Sequence, residues 1–299
     1  MHVLVGGASG FLGRHLVDVL RRRGHTTTSL VRRHPTTEDE SRWDPAAGTV
    51  DPRVVEDADV VVNVAGSPTI GVPYSRSWAR NLRESRVTTT RTLAEAIAAS
   101  TNKPAFLAGN AIAVYGDHGD HPVTEDGDSR GHTLMGEVTR VWQAAAQPAV
   151  DAGARTCFLR TSPVMDRESE PLRMLSRIFR LGLGGKVGSG RQYFPIVSLR
   201  DWLGAVTHLA EDPDMSGPVN ICCPRTPTNA EFSRALARAV GRPAVLPIPS
   251  AAIRVGAGPL APELLSSVNL VPQALLGSGF VFRDQDAADV IAAGLAGER

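Results

Sequence analysis

The stretch GGASGFLG, residues 6–13, decides how the first part of this chain folds. It follows an apolar run, His2–Val5, and precedes apolar residues at helical spacing that end at Gly24. A glycine-rich turn between a strand and a helix is where α/β proteins bind a pyrophosphate, because the backbone approaches the ligand closely and free N–H groups open the helix. A plain turn is the alternative, but the position at a strand–helix junction favours a phosphate-binding loop.

The three glycines of this loop have the spacing G-x-x-G-x-x-G. Their physical tasks are a tight turn with positive φ, a close approach of the backbone to the pyrophosphate, and close packing of the helix on the strand. We therefore predict that a dinucleotide contacts the loop and the first turn of the helix, namely Gly7, Ser9, Gly10, Phe11, Leu12 and Gly13.

The end of the second strand, Thr26–Val31, indicates which dinucleotide is bound. Sites for NAD usually carry Asp or Glu here to accept from the ribose 2′-hydroxyl, whereas a 2′-phosphate requires cations. This strand runs into Arg32 and Arg33, and guanidinium groups match a phosphate in charge and in forked geometry. The alternative is that both arginines are solvated surface residues. The sequence thus favours NADP(H) over NAD(H).

Strand-like and helical segments alternate along the first half of the chain. Strands are expected at 59–64, 106–114 and 156–159, and helices at about 77–99 and 135–149. Strands that are apolar on both faces indicate a parallel sheet covered by helices. After about residue 165 the chain is richer in glycine and proline loops. We predict an α/β fold with a Rossmann-like doubly wound sheet over 1–165, to which segments around 195–225 return, and a smaller substrate-binding lobe over 166–299.

Composition points to a small-molecule substrate. The 299 residues include 32 basic and 31 acidic side chains, so the net charge of +1 gives no attraction for nucleic acid or for an anionic membrane. Cys157, Cys222 and Cys223 form neither a disulfide framework nor a metal or redox motif. A polar loop explains the segment DHGDH, 117–121, better than a metal site does. We expect a cytoplasmic protein with no membrane, nucleic-acid or metal partner, and a homodimer is compatible with the sequence.

Several motifs resemble those of the extended short-chain dehydrogenase/reductases: the glycine loop, NVAG at 63–66 and VYG at 114–116. Five further strings resemble one atypical subgroup, whose members are usually labelled nucleoside-diphosphate-sugar epimerases and end in a small domain of unknown function. These strings are RWDPAAGTVD (42–51), SRVTTTRTL (85–93), LGLGGKVGSGRQY (181–193), GPVN (217–220) and GRPAVLPIP (241–249). The resemblance covers nearly the whole chain.

The resemblance implies roles for residues beyond the glycine loop. Asn63, Ala65 and Gly66 would flank the adenosine ribose and the nicotinamide-side phosphates. Arg160, Thr161 and Pro163 would line the nicotinamide. Arg191, Gln192 and Tyr193 would belong to the wall of the substrate pocket.

Enzymes of this superfamily normally use a Tyr-x-x-x-Lys pair, in which the lysine lowers the pKa of the tyrosine that exchanges a proton with the substrate oxygen. Four residues after Tyr74, Tyr115 and Tyr193 stand Trp78, Gly119 and Val197, and the lysines of the chain are Lys103 and Lys186. The pair is therefore absent. The subgroup also lacks it.

Four residues are candidates for a substitute catalytic group. Tyr115 follows the strand beside the nicotinamide, Asn110 is suited to polarise a carbonyl, and His132 and Glu137 lie in the segment that replaces the motif. The alternatives are that Tyr115 packs in the core and that His132 and Glu137 are solvated. A substitute donor, or water, suffices for an activated substrate such as an iminium ion or a conjugated enone.

The sequence favours an NADP(H)-dependent oxidoreductase that acts on a small organic substrate. One alternative is a nucleotide-sugar epimerase or dehydratase that uses NADP without net consumption. The other is a non-catalytic protein that binds and senses NADPH, as the missing catalytic pair would allow.

Overall fold

The computed structural model describes residues 1–69, 75–244 and 247–298. The strands are β1 (His2–Gly6), β2 (Thr26–Val31), β3 (Glu40–Asp44), β4 (Thr49–Val50), β5 (Val60–Asn63), β6 (Ala105–Ala111), β7 (Pro122–Val123), β8 (Thr156–Thr161), β9 (Val164–Met165), β10 (Val197–Ser198), β11 (Gly217–Ile221) and β12 (Asn269–Leu270). The helices are α1 (Phe11–Arg22), α2 (Pro52–Glu56), α3 (Arg76–Ala99), α4 (Leu134–Ala144), α5 (Gln147–Asp151), α6 (Glu170–Arg180), α7 (Leu199–Glu211), α8 (Asn229–Ala239), α9 (Ser250–Ala257), α10 (Ala261–Leu265), α11 (Gln273–Gly277) and α12 (Ala287–Ala296).

Eight of these strands form one twisted layer in the described part of the chain, in the order β11-β8-β6-β5-β1-β2-β3-β4. Neighbouring strands are parallel, except for the antiparallel pair β3–β4 at one edge. The chain moves outward from β1 in both directions, so the strand order reverses between β1 and β5. Open α/β sheets bind ligands in the crevice at such a reversal, outside the carboxyl ends of the strands. The predicted Rossmann-like α/β fold is confirmed.

Helices cover both faces of this sheet. Successive strand residues point to opposite faces, so Val5 packs with Leu16 of α1 and Trp202 of α7, whereas Leu4 packs in a separate cluster with Leu93 of α3. Both faces of the central strands are therefore buried. This explains why the strands are apolar throughout rather than alternating.

Two expected elements are wrong in their bounds. The strand expected at 106–114 ends at Ala111. Ala111 pairs with Thr161, the last residue of β8, so no described partner strand continues beyond this point. The chain then forms a 3-10 helix at Ile112–Val114. The helix expected at 135–149 is divided into α4 and α5. Pro148 lies in the first turn of α5, and because proline has no N–H and clashes with the carbonyl four residues earlier, one continuous helix is not possible there.

The later part of the chain builds a further hydrophobic cluster, separate from the two on the faces of the sheet, and also returns to the main sheet. Phe179 of α6, Phe232 of α8 and Ile291 of α12 belong to this further cluster. Strand β11 is the outermost strand of the main sheet on one side, and α7 packs against α1. The division of the chain at residue 165 stays a prediction. Within the described ranges, no helix is long and apolar enough to cross a membrane.

Candidate functional site

The glycine loop joins β1 to α1 at the reversal of strand order. Gly7 has a φ of +87°, and a Cβ atom on it would lie 2.6 Å from the backbone nitrogen of Ala65. A Cβ on Gly13 would lie 2.7 Å from the carbonyl carbon of Gly7 and closer still to its oxygen. Real Cβ atoms do not approach other atoms so closely, so the packing of the chain on itself requires both glycines.

Gly10 is different because its α-carbon faces open space. A Cβ there would meet only the carbonyl oxygen of Gly7, at 3.2 Å. Gly10 is the N-cap of α1, no side chain caps this helix, and its first turn holds no acidic residue. The N–H groups of Phe11, Leu12 and Gly13 have no acceptor among the described residues. Free donors, the positive end of the helix and an empty space together fit a pyrophosphate.

The two arginines after β2 are both exposed, but only one has an ion-pair partner in the described ranges. Arg33 donates from Nη1 to Glu40 Oε2 at 2.8 Å, and this pairing is the main reason that the pKa of Glu40 falls to about 2. Arg32 forms no ion pair with a described residue. Of these two arginines, Arg32 thus has a guanidinium without an ion-pair partner in the described ranges, whereas Arg33 is shared with Glu40.

The segment after β5 is fixed by a buried amide. Asn63 is fully buried; its Oδ1 accepts from the backbone N–H of Ala65 at 3.1 Å, and its Nδ2 donates to Thr90 Oγ1 at 2.9 Å. The buried side chain of Asn63 thus fixes the position of the backbone at Ala65. Ala65 and Gly66 form the part of this segment that is accessible beside the glycine loop.

Tyr115 is fully buried, with its hydroxyl in an interior network. The hydroxyl donates to Asn220 Oδ1 at 2.6 Å and accepts from Arg160 Nη1 at 2.6 Å. Burial raises the pKa of Tyr115, which keeps the phenol protonated near neutral pH. Arg160 also donates to the carbonyl of Glu125 at 2.9 Å. These contacts give Tyr115 and Arg160 a structural role, and their predicted roles in catalysis and in lining the nicotinamide stay predictions.

The other two residues implied beside the nicotinamide lie at the end of β8 and just beyond it. Both are half-buried. Thr161 Oγ1 accepts from the indole of Trp202 at 3.2 Å, and the carbonyl of Pro163 accepts from the N–H of Val197 at 3.2 Å.

The three remaining catalytic candidates are not brought together by hydrogen bonds. Asn110 lies near the carboxyl end of β6 and is buried, and its Nδ2 makes one long contact of 3.4 Å with the carbonyl of Thr139. His132 and Glu137 are exposed, and neither side chain contacts a described residue through a hydrogen bond or ion pair. The described residues also hold no cluster of His, Cys, Asp or Glu that fits a metal ion.

The residues predicted to form the wall of the substrate pocket contact three segments of the later part of the chain. Tyr193 forms a β-bridge with Thr228, at the start of α8, and its N–H donates to Ser267 Oγ at 3.0 Å. Gln192 Nε2 donates to the carbonyl of Val187 at 3.0 Å, and Arg191 is exposed.

One buried cation was missed by the sequence analysis. Arg86 of α3 is 8% exposed, and its guanidinium lies 5.2 Å from the ring centre of Trp142. The signal was present in the helical spacing, because Arg86 lies four residues after Leu82 and seven before Leu93, both fully buried. An arginine on the inner face of a helix is uncommon, because a charged side chain is rarely buried unless it has a partner.

Comparisons with known proteins agree with this geometry. The model of the NAD-dependent epimerase/dehydratase family matches residues 3–222, and a domain of unknown function, DUF1731, matches residues 248–293. An epimerase family protein of Mycobacterium tuberculosis is 36% identical over 290 residues, which cover 97% of this chain and 96% of that protein. The human epimerase family protein SDR39U1 is 33% identical over 286 residues, with 94% and 95% covered.

Two solved structures are similar over 99% of this chain. The crystal structure of human SDR39U1 with NADPH has a TM-score of 0.88 at 30% identity and is itself 99% covered. The nucleoside-diphosphate sugar epimerase of Corynebacterium glutamicum has a TM-score of 0.81 at 32% identity, and this chain spans 58% of that one. The resemblance drawn from the sequence motifs is confirmed, and the chain belongs to the NAD-dependent epimerase/dehydratase family.

Proposed function

We propose that the chain is an NADP(H)-dependent oxidoreductase that acts on a small organic substrate without a Tyr-x-x-x-Lys pair. The observation that carries this proposal is the open space at Gly10, beside N–H groups of α1 that have no acceptor in the described part of the chain. A pyrophosphate provides acceptor oxygens for these groups. Arg32 provides charge for a 2′-phosphate, and the presence of NADPH in the crystal structure of human SDR39U1 supports this choice of cofactor.

In this proposal NADP(H), when bound, supplies or accepts the hydride. The chain binds the pyrophosphate at the start of α1 and orients the substrate at the carboxyl ends of β5 and β6. Asn110 is the candidate for polarising the substrate oxygen, since an amide nitrogen has two hydrogens and Nδ2 makes only one weak contact. Lack of a positioned general acid costs about 10²- to 10⁴-fold in rate. An activated substrate, such as a conjugated enone, tolerates that loss.

Epimerase or dehydratase chemistry on a nucleotide sugar is the second candidate, because the family is described by that activity. It requires a base strong enough to take a proton from an unactivated alcohol. The hydroxyl of Tyr115 is enclosed by Asn220 and Arg160 and does not meet this need in the present conformation. The same enclosure, together with the exposed His132 and Glu137, is compatible with a third candidate, an NADPH-sensing protein without chemistry of its own.

Calorimetry and turnover assays separate these candidates. We expect the purified protein to bind NADPH more tightly than NADH, and equal affinity or a preference for NADH would contradict the cofactor assignment. With conjugated enones and cyclic iminium ions, loss of NADPH absorbance supports an oxidoreductase. A change of configuration in a nucleotide sugar without consumption of NADPH would support the epimerase instead. Binding of NADPH with neither reaction would favour the sensing protein.

A further inference from the structure

The side chain of Arg86 is a buried cation with unused hydrogen-bonding capacity. Its Nη1 donates to the carbonyl of Leu82, one turn earlier in α3, at 3.0 Å, and its Nη2 makes a long contact of 3.4 Å with Thr69 Oγ1. Nε is buried and has no partner among the described residues. A guanidinium carries five N–H hydrogens in a planar fork, so among the described residues most of these hydrogens have no acceptor.

No described carboxylate balances the charge of Arg86. Burial alone lowers its pKa, to about 10, and no acidic side chain opposes that shift. The adjoining stretch 70–74, IGVPY, contains no Asp or Glu. The face of Trp142 offsets part of the lost hydration by a cation–π contact. Natural proteins rarely bury a charge that lacks a partner, so the missing anion is expected from outside the chain.

The position of Arg86 relates it to the ligand crevice. A Cβ on Gly66, just after β5, would lie 3.4 Å from Cζ of Arg86. The ring of Trp142 packs on β6, where a Cβ on Gly109 would lie 3.0 Å from the indole Cζ2. Arg86 therefore lies near the carboxyl ends of β5 and β6, on the side that α3 and α4 cover. The glycine loop adjoins the same segment one residue earlier, because the backbone of Ala65 packs against Gly7.

We propose that Arg86, backed by Trp142, binds the anionic group of the substrate. The inference rests on the proposed function and adds a substrate class, namely an organic molecule that carries a carboxylate or a phosphate. A guanidinium binds either group with two parallel hydrogen bonds. The substrate is favoured over the cofactor as the source of the oxyanion, because the pyrophosphate has its donors at the start of α1, beyond Ala65. A Cβ on Gly66 would be in ordinary van der Waals contact with the side chain of Arg86, so the guanidinium directly adjoins the segment after β5.

The proposal is tested with small probes on the protein saturated with NADP⁺. Benzoate and phenyl phosphate are the anionic probes, and benzamide is a neutral molecule of the same shape as benzoate. Binding is followed by tryptophan fluorescence, with Trp142→Phe identifying the signal of the stacked ring. We expect the wild-type protein to bind both anions at least about tenfold more tightly than benzamide, since hydrogen bonds to a charged group are the strong ones.

Variants of Arg86 then separate substrate binding from cofactor binding. We expect Arg86→Met to weaken binding of both anions about tenfold or more while the NADP⁺ dissociation constant changes less than about twofold. Arg86→Lys keeps the charge but not the forked guanidinium, so it should weaken binding of the anions less than Arg86→Met does. Arg86→Lys also provides a measurement if the methionine variant does not fold. Arg83→Met removes an exposed arginine from the same helix and should leave both affinities unchanged.

Three results would overturn the inference: wild-type protein that binds benzoate no better than benzamide, a folded Arg86→Met variant (or, if that variant does not fold, an Arg86→Lys variant) that binds the anions as wild type does, or loss of NADP⁺ affinity without loss of anion affinity. The last result would assign Arg86 to the cofactor. Failure of the wild-type protein to bind NADP⁺ would instead refute the proposed function, and the anion probes remain measurable without the cofactor. The two failures are thus distinguishable.

Discussion

Gly13 packs on Gly7 so closely that a Cβ on Gly13 would lie 2.7 Å from the carbonyl carbon of Gly7. Gly10, between them, is less crowded, because a Cβ there would meet only the carbonyl oxygen of Gly7, at 3.2 Å. We therefore expect Gly10→Val to abolish NADPH binding, because its side chain would occupy the space of the pyrophosphate, with a loss of only about 1 kcal/mol in the free energy of unfolding from the poorer N-cap. Calorimetry and denaturant unfolding measure the two effects.

Gly13→Val serves as the contrasting variant. It should lower the free energy of unfolding by about 3 kcal/mol or more, because backbone atoms cannot move aside as a side chain can. Gly256→Ala, in α9, where nothing lies within 4 Å of the added Cβ, is the control and should not lower the free energy of unfolding. A Gly10→Val protein that binds NADPH with wild-type affinity would show that the glycine loop is not the pyrophosphate site.

The pairing of Arg33 with Glu40 leads to a prediction about cofactor choice. Arg32→Ala should weaken NADPH binding about 10- to 100-fold, the loss of one charge-assisted contact, and should change NADH binding little. Glu40→Gln releases Arg33 and should strengthen NADPH binding. Arg173→Ala, an exposed position on α6, controls for net charge. If Arg32→Ala weakens both cofactors equally, Arg32 does not contact the 2′-phosphate.

The hydroxyl of Tyr115 bridges Asn220 and Arg160, so its removal takes one hydrogen bond from each of these two buried polar groups. Tyr115→Phe should lower the free energy of unfolding by about 1–3 kcal/mol and leave NADPH affinity within about twofold. Tyr193→Phe, at a half-buried position, is the matched control for stability. A fall in kcat of about 10²-fold or more on an identified substrate, with stability unchanged, would instead make Tyr115 a proton donor.

The burial of Arg86 predicts an unusual response at high pH. Its pKa in the folded protein, about 10, is below the ordinary value of arginine that applies to the unfolded chain. At a pH between these two pKa values, the unfolded chain holds a proton that the folded protein lacks. The contribution of Arg86 to the free energy of unfolding therefore increases as pH rises above about 10. Below that pH both states are charged, and the burial penalty is present in full.

Carbon NMR of the arginine Cζ atoms measures this titration, with Arg86→Lys identifying the signal. We expect the Arg86 signal to shift near pH 10 and benzoate to move that midpoint upward, since an anion favours the charged form. An Arg86 signal that stays constant until the protein unfolds would mean that the charge is already balanced.

Local patterns in the sequence were enough to predict the Rossmann-like sheet, the glycine loop and the family. The glycine spacing, the strand before it and the helix after it lie within about twenty residues, where steric rules and side-chain periodicity act directly. The same local rules gave approximate bounds for the elements. They failed at the end of β6, which depends on where its neighbour β8 stops, and they gave no sign that Arg33 pairs with Glu40.

The surroundings of Tyr115 and Arg86 were decided only by the tertiary structure. Tyr115 meets Asn220, 105 residues away, and Arg86 meets Trp142 because α3 and α4 pack beside each other on the sheet. Whether a polar side chain is enclosed or accessible depends on which elements cover it, and residues close in sequence do not specify that. The sequence alone therefore pointed to a dinucleotide-binding loop, and the packing of distant elements determined which charged groups are enclosed without a described partner.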